Sequence, residues 1–164
     1  FLMVLVACTL VGLRWNRYQR SNQQVELERL LNGTFELEQV ADQKVGENSD
    51  LLSQKITFSG GKMAGETRIK TNSPAGTTAI PFPDKTISGY RDSLDGEVTT
   101  FRWQGAYSAL SGWRMTCHVG TSTYTVNTHW DAKTHILSLE RDFILTYPGP
   151  FRYRLVASYA PSKP

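Results

Sequence analysis

Cysteine is scarce in this 164-residue chain, and its two cysteines stand far apart, at Cys8 and Cys117. Cys8 lies in an apolar run at the start of the sequence, whereas Cys117 lies deep in a region rich in β-forming residues. We therefore expect no intrachain disulfide. The folded part must depend on a hydrophobic core, which a domain of roughly 130 residues is large enough to build.

The common sequence motifs of enzymes are also lacking. The chain contains no P-loop, no dinucleotide-binding fingerprint and no nucleophile elbow. Cys117 and His118 are neighbours on a predicted strand and point to opposite faces, so they cannot form a nucleophile–base pair. Glu140 and Asp142 share a strand face beside Arg141, and we expect them at a solvated strand end. The sequence therefore predicts a protein that is not an enzyme.

Histidine, the commonest metal ligand, occurs at only three positions, His118, His129 and His135. His129 and His135 flank a predicted turn at Asp131 and could approach each other. Six residues across a hairpin is not a recognised spacing of metal ligands, however. We expect surface or turn histidines and no metal or cofactor, although a bound lipid or pigment remains open.

Acidic residues are absent before Glu26, and three of the 18 basic residues, Arg14, Arg17 and Arg20, precede it. The remaining 15 basic residues equal the 15 acidic ones, so the net charge of +3 comes entirely from the N-terminal segment. Such a basic flank favours anionic lipid headgroups. The rest of the chain has no basic surplus, which argues against nucleic acid as a partner.

An apolar run, FLMVLVACTLVGL, opens the sequence and directly precedes the arginines. A bilayer core requires about 20 apolar residues in a helix, so residues 1–15 are predicted to be an N-terminally incomplete transmembrane anchor. A cleaved signal peptide, a lipoprotein signal lipidated at Cys8, and an amphipathic or buried helix are the alternatives. The predicted membrane and headgroup contacts are Phe1, Leu5, Leu10, Leu13, Arg14, Trp15, Arg17, Tyr18 and Arg20.

The side of the membrane on which the rest of the chain lies stays open. Arginines close to a membrane span favour the cytoplasmic side. More basic residues upstream would reverse that orientation and place the domain in the periplasm or a lumen.

Residues 16–32 are predicted to form a juxtamembrane stalk helix, because this segment has no proline or glycine and its apolar residues recur at loosely helical spacing. Asn32-Gly33 is typical of a helix C-terminus. The stalk could dock on a partner, or pack on its own domain and cap one end of it.

Residues 33–159 have the composition of a β domain, and residues 160–164 form a tail. Turn residues recur every 8–12 positions and no segment suits a crossover helix, which predicts a mainly β fold with an antiparallel meander. Eight or nine such strands are enough to close a barrel. The predicted strands are Thr34–Val40, Leu52–Phe58, Lys62–Thr71, Thr86–Arg91, Glu97–Gln104, Gly112–Val119, Ser122–Trp130, Thr134–Arg141 and Phe151–Ser158.

Two connecting segments are the candidate partner contacts. Residues 71–85 contain three prolines and carry Ile80 and Phe82 as exposed apolar residues. Residues 103–113, WQGAYSALSGW, are predicted to form an aromatic contact around a loop. The candidate contact residues are Ile80, Phe82, Trp103, Tyr107 and Trp113.

A helical lead-in followed by Asn32-Gly33-Thr34-Phe35 and antiparallel hairpins resembles the start of lipocalin-like (calycin) barrels. Those barrels open with a Gly-x-Trp motif, and Phe35 stands at the tryptophan position here. The resemblance also implies a basic residue near the last strand that packs over this aromatic, a part that Arg152 or Arg154 could play. It implies a barrel fold more than a function.

The favoured function is that of a non-catalytic accessory, assembly or stabilising subunit of a larger membrane protein complex. Electron-transfer and photosynthetic complexes are typical settings for such a subunit. The predicted partners are membrane lipids and other subunits of that complex. The alternative is a lipocalin-like binder or carrier of a lipid, pigment or other apolar ligand, with the aromatic residues lining a cavity.

Overall fold

The structure, a computed structural model, describes residues 2–46, 51–70, 90–95, 98–143 and 149–159. One helix, α1 (Leu2–Leu30), covers most of both predicted N-terminal segments without interruption. It ends where the sequence predicts, because the Asn32 side chain donates a hydrogen bond of 3.1 Å to the carbonyl oxygen of Glu28. Asn32 also accepts a hydrogen bond from the backbone N–H of Gly60, which ties the helix end to a hairpin of the β domain.

A single antiparallel sheet follows the helix. Its strands alternate inward apolar and outward polar residues, as expected when one face of a sheet surrounds a core. The strands are β1 (Gly33–Val40), β2 (Gln43–Lys44), β3 (Leu51–Ser59), β4 (Lys62–Lys70), β5 (Tyr90–Asp95), β6 (Val98–Leu110), β7 (Arg114–Val119), β8 (Ser122–Asp131), β9 (Ile136–Leu139) and β10 (Phe151–Ser158).

The sheet closes into a barrel. Within the described residues, eight strands follow one another around the ring in the order β1-β3-β4-β6-β7-β8-β9-β10, and β10 pairs back with β1. The closing register runs from Gly33 opposite Ser158 to Val40 opposite Phe151. β2 and β5 are additional strands paired with β1 and β6. The predicted mainly β fold and antiparallel barrel are confirmed.

One predicted loop is wrong. Residues 103–110 belong to β6, a strand of 13 residues whose first half pairs with β5 and whose second half pairs with β7. Trp103 and Tyr107 point into the barrel and are 2% and 9% exposed. They cannot serve as the surface contacts that the sequence predicted.

Phe58 lies at the centre of a cluster of aromatic rings in the barrel core. Its ring packs edge-on against Phe35 at 5.8 Å and against Tyr107 at 5.1 Å between ring centroids. Phe143, which follows β9, also packs edge-on against it, at 6.4 Å between ring centroids. Such edge-to-face pairs add to the stability gained from burial alone.

The lipocalin-like features are met in part. Phe35 is fully buried, as the aromatic of the first strand should be. Arg152 and Arg154, however, lie on the outer face of β10 and donate hydrogen bonds to Gln39 and Glu38. The expectation that either arginine packs over Phe35 is wrong.

Gly65 makes room for a tryptophan inside the barrel. The Trp103 indole lies so close that a Cβ atom added at Gly65 would stand 2.1 Å from the ring carbon Cε2. We expect Gly65→Ala to displace the ring and lower the free energy of unfolding by about 3 kcal/mol, as measured by urea denaturation. Gly12→Ala is the control, because no atom lies within 4 Å of the added Cβ there. Equal stabilities for the two variants would contradict this packing.

Candidate functional site

The C-terminal end of α1 is built into the barrel. Leu27 and Leu31 are fully buried in the core. The Tyr107 hydroxyl donates a hydrogen bond to the carbonyl oxygen of Leu31, and the Gln24 side chain donates one of 3.1 Å to the carbonyl oxygen of Ala109. The predicted alternative that the stalk caps one end of its own domain is thus confirmed for its last two turns.

The preceding part of α1, which we call the projecting helix, presents apolar side chains to solvent. Within the part of the chain that the structure describes, residues 9–22 are all exposed. Leu10, Val11, Leu13, Trp15 and Tyr18 are 57–67% exposed. Large apolar side chains left together in solvent mark an interaction surface.

The arginines lie on the same segment. Arg14, Arg17 and Arg20 recur every three residues and form a stripe along the exposed helix. The Trp15 and Tyr18 rings lie 6.4 Å apart, centroid to centroid, on a neighbouring stripe. The projecting helix therefore combines positive charge with exposed aromatic area.

No helix in the described ranges has both the length and the apolar character needed to cross a bilayer. The predicted transmembrane anchor over residues 1–15 is therefore not supported. The physical reason is length, because the apolar run ends at Leu13 and is followed directly by the charged residue Arg14. A helix needs about 20 apolar residues to cross the bilayer core.

The remaining predicted contact residues are either partly buried or outside the described part of the chain. Trp113 is half-buried, and its carbonyl oxygen accepts hydrogen bonds from the backbone and the hydroxyl of Thr128. Phe1, Ile80 and Phe82 lie outside the described residues, as does the side chain of Leu5.

A buried polar network, which the sequence did not predict, lies inside the barrel. Asp142 is only 5% exposed, so its expected place at a solvated strand end is wrong. Its carboxylate accepts a hydrogen bond from the Tyr153 hydroxyl and two from the Gln54 amide, at 3.2 and 3.1 Å. Glu140, in contrast, is exposed and accepts a hydrogen bond from Asn127.

Several acidic protons inside the barrel are hard to remove, and those of Tyr153 and Cys117 are the clearest cases. Burial, followed by the nearby Asp142 charge, raises the pKa of the Tyr153 hydroxyl well above its ordinary value. The same two causes raise the pKa of the Cys117 thiol to about 12. Cys117 is therefore an inert structural residue, because its reactive thiolate form is suppressed.

A groove separates the last turn of α1 from the barrel rim. Its volume is about 450 Å³. The Trp130 indole and the His135 imidazole stack in parallel at 6.1 Å beside it. This rim groove is lined by Glu26, Arg29, Leu30, Trp130, His135, Leu155, Ser158 and Tyr159.

No metal site appears among the side chains that the structure places. No group of three or more His, Cys, Asp or Glu residues converges within the described part of the chain. His135 stacks on Trp130, and the Nδ1 atom of His118 lies 2.9 Å from the Thr123 hydroxyl. All three histidines are exposed, in keeping with their expected place on the surface.

Comparisons with known proteins assign no family. No family model matches the chain, and neither a curated protein nor a solved structure shows significant similarity to it.

Proposed function

We propose that this chain is a non-catalytic accessory or assembly subunit of a larger membrane protein complex, which it joins through the projecting helix. The observation that carries the proposal is the exposure of Leu10, Leu13 and Trp15. The contacts of this helix with the barrel that the structure describes lie in its C-terminal turns. An α-helix of 29 residues is about 44 Å long, so this segment extends well beyond the barrel.

The barrel supports a structural role rather than a catalytic one. The core residues that the structure describes fill its interior with aromatic and aliphatic side chains, including Phe35, Phe58 and Trp103. A closed barrel with such an interior is a rigid body on which partner subunits can assemble.

The test is to solubilise the native membrane in mild detergent, size the particle that contains the chain, and identify what co-purifies by mass spectrometry. We expect a defined large complex for the wild-type chain and its loss for the triple variant Leu10→Ser, Leu13→Ser, Trp15→Ser. Substitution of the polar neighbours Asn16 and Gln19 by alanine is the control. A wild-type chain that runs alone and empty would overturn the proposal.

Anionic lipid is the second proposed partner of the projecting helix. Each arginine near an anionic surface contributes about 1 kcal/mol. Replacing Arg14, Arg17 and Arg20 with glutamine is therefore expected to weaken binding to phosphatidylserine-containing vesicles roughly 100-fold, with loss of its salt dependence. The matched control removes three exposed charges from β4 instead, at Lys62, Arg68 and Lys70. An equal effect of both triple variants would show that the position of the charge does not matter.

A second candidate function, binding of an apolar ligand, is favoured by the rim groove. Its volume of about 450 Å³ and its aromatic lining suit a small molecule. A lipid or pigment that co-purifies with an isolated chain, and that Trp130→Ala releases, would support this function over the accessory role.

A further inference from the structure

Three polar atoms inside the barrel have no hydrogen-bond partner among the residues that the structure describes: Gln54 Oε1, Thr67 Oγ1 and Trp103 Nε1. Their residues are at most 2% exposed. Buried polar atoms are almost always paired with protein or with an ordered water molecule. Three in one interior therefore point to a bound molecule.

The strand register brings the three residues together. Gln54 on β3 stands directly opposite Thr67 on β4. Trp103 on β6 stands opposite Gly65, and its Nε1 atom lies 2.5 Å from where a Cβ of Gly65 would be. Gly65 and Thr67 are two residues apart on one strand, so they face the same side. All three atoms thus belong to one inner layer of the barrel.

Their chemistry defines the occupant. The Trp103 N–H can only donate, the Gln54 carbonyl oxygen can only accept, and the Thr67 hydroxyl can do either. The orientation of the Gln54 amide is fixed, because its N–H groups donate to the carboxylate of Asp142. An anion would be repelled by the carbonyl oxygen of Gln54, and a cation would be repelled by the N–H group of Trp103. The occupant is therefore a neutral molecule that both donates and accepts hydrogen bonds.

Size restricts the choice further. Ile56 and Phe101 occupy neighbouring inward positions and are 0% and 7% exposed. The Trp103 ring lies directly against Gly65, which leaves little space in this layer. A water molecule fits such a site, since buried waters typically make about three hydrogen bonds to polar groups.

We propose that the barrel interior binds one ordered water molecule, which accepts a hydrogen bond from Trp103 and bonds to Gln54 and Thr67. The water completes a network that runs from Tyr153 and Asp142 through Gln54 to β4 and β6. It thereby links the segment that carries Asp142 to the opposite barrel wall.

The direct test is solution NMR on the wild-type protein. A cross-peak between the indole N–H of Trp103 and a long-lived water is expected, whereas the indole of Trp15, which is 64% exposed, should show only exchange with solvent. Identical behaviour of the two indoles would overturn the proposal. So would a stoichiometric molecule heavier than water in native mass spectrometry that stays bound in Trp130→Ala, because this substitution empties the rim groove.

Thr67→Val supplies an independent readout, because valine matches the shape of threonine without its hydroxyl. If the water is bound, the variant loses the Trp103 cross-peak and its melting temperature falls by about 3 °C. If the hydroxyl is simply unpaired, its removal leaves the melting temperature unchanged or raises it, which would overturn the proposal. Thr125→Val, at an exposed position on β8, is the control. Should Thr67→Val not fold, the wild-type spectrum decides alone.

Discussion

Phe58→Ala is expected to lower the free energy of unfolding by about 4 kcal/mol, a large fraction of the stability of a domain of this size. Phe58 is 1% exposed and joins rings from β1, β6 and the segment after β9. Its removal costs the transfer of the ring and leaves a cavity, because three aromatic neighbours on different elements cannot all move inward. Urea denaturation followed by circular dichroism measures the change.

Two controls separate packing from a general effect of truncation. Phe58→Leu keeps most of the volume and is expected to cost about 1 kcal/mol. Val156→Ala, at a side chain that is 46% exposed on the outer face of β10, should change stability by less than about 0.5 kcal/mol. A cost below about 1 kcal/mol for Phe58→Ala would mean that the interior is loosely filled, which would contradict the packed core described above.

The strands and their faces were predictable because their signal is local. The alternation in 136–139 places Leu137 and Leu139 inward, and both are 1% exposed. In 151–158 it places Phe151 and Tyr153 inward, and both are buried. An alternation of apolar and polar residues can be recognised from neighbouring positions alone. This is why the strands of the meander could be assigned from the sequence.

The error at residues 103–113 has a specific cause. The sequence predicted Gly105 in the connection between two strands and Gly112 at the start of the second strand. The structure places them the other way round, because Gly112 adopts a φ of +77° in a turn and Gly105 lies in mid-strand. A Cβ at Gly105 would stand 2.5 Å from the carbonyl oxygen of His118. Glycine is required there because β6 and β7 approach each other closely, and a single sequence does not distinguish this reason from a turn.

The hydrogen-bond network around Asp142 could not be predicted from the sequence, for a different reason. Asp142 is buried by residues that are distant in sequence, with Gln54 88 positions away. Local patterns place an aspartate after a strand in solvent, because only long-range closure of the barrel brings its partners to it. The apolar and basic residues of the projecting helix were identified from their local pattern, but as part of a transmembrane anchor that the structure does not support. The partner that we propose for them cannot be derived from this local pattern.

Alkaline pH is expected to destabilise the barrel strongly. The pKa of the buried Cys117 thiol is raised from 9.0 to about 12. The unfolded chain therefore releases this proton first, and stability is fully present below pH 9 and is lost as the pH rises toward 12. Three pKa units correspond to about 4 kcal/mol, of which about 3 kcal/mol is lost by pH 11. Tyr153, whose pKa is also raised, adds to the loss above pH 10.

The measurement is the free energy of unfolding in urea at pH 7, 9, 10 and 11, for the wild-type chain and for Cys117→Ala. The variant starts less stable, because truncation leaves a small cavity. Its stability should nevertheless fall less steeply above pH 9, by about 1.4 kcal/mol per pH unit, since one buried proton no longer distinguishes the folded from the unfolded state. Parallel curves for the two proteins would show that the thiol titrates alike in both states. The alkaline loss would then have to come from other groups whose pKa is raised by folding, among them Tyr153 and Tyr107, and Tyr153→Phe and Tyr107→Phe test these two in the same way.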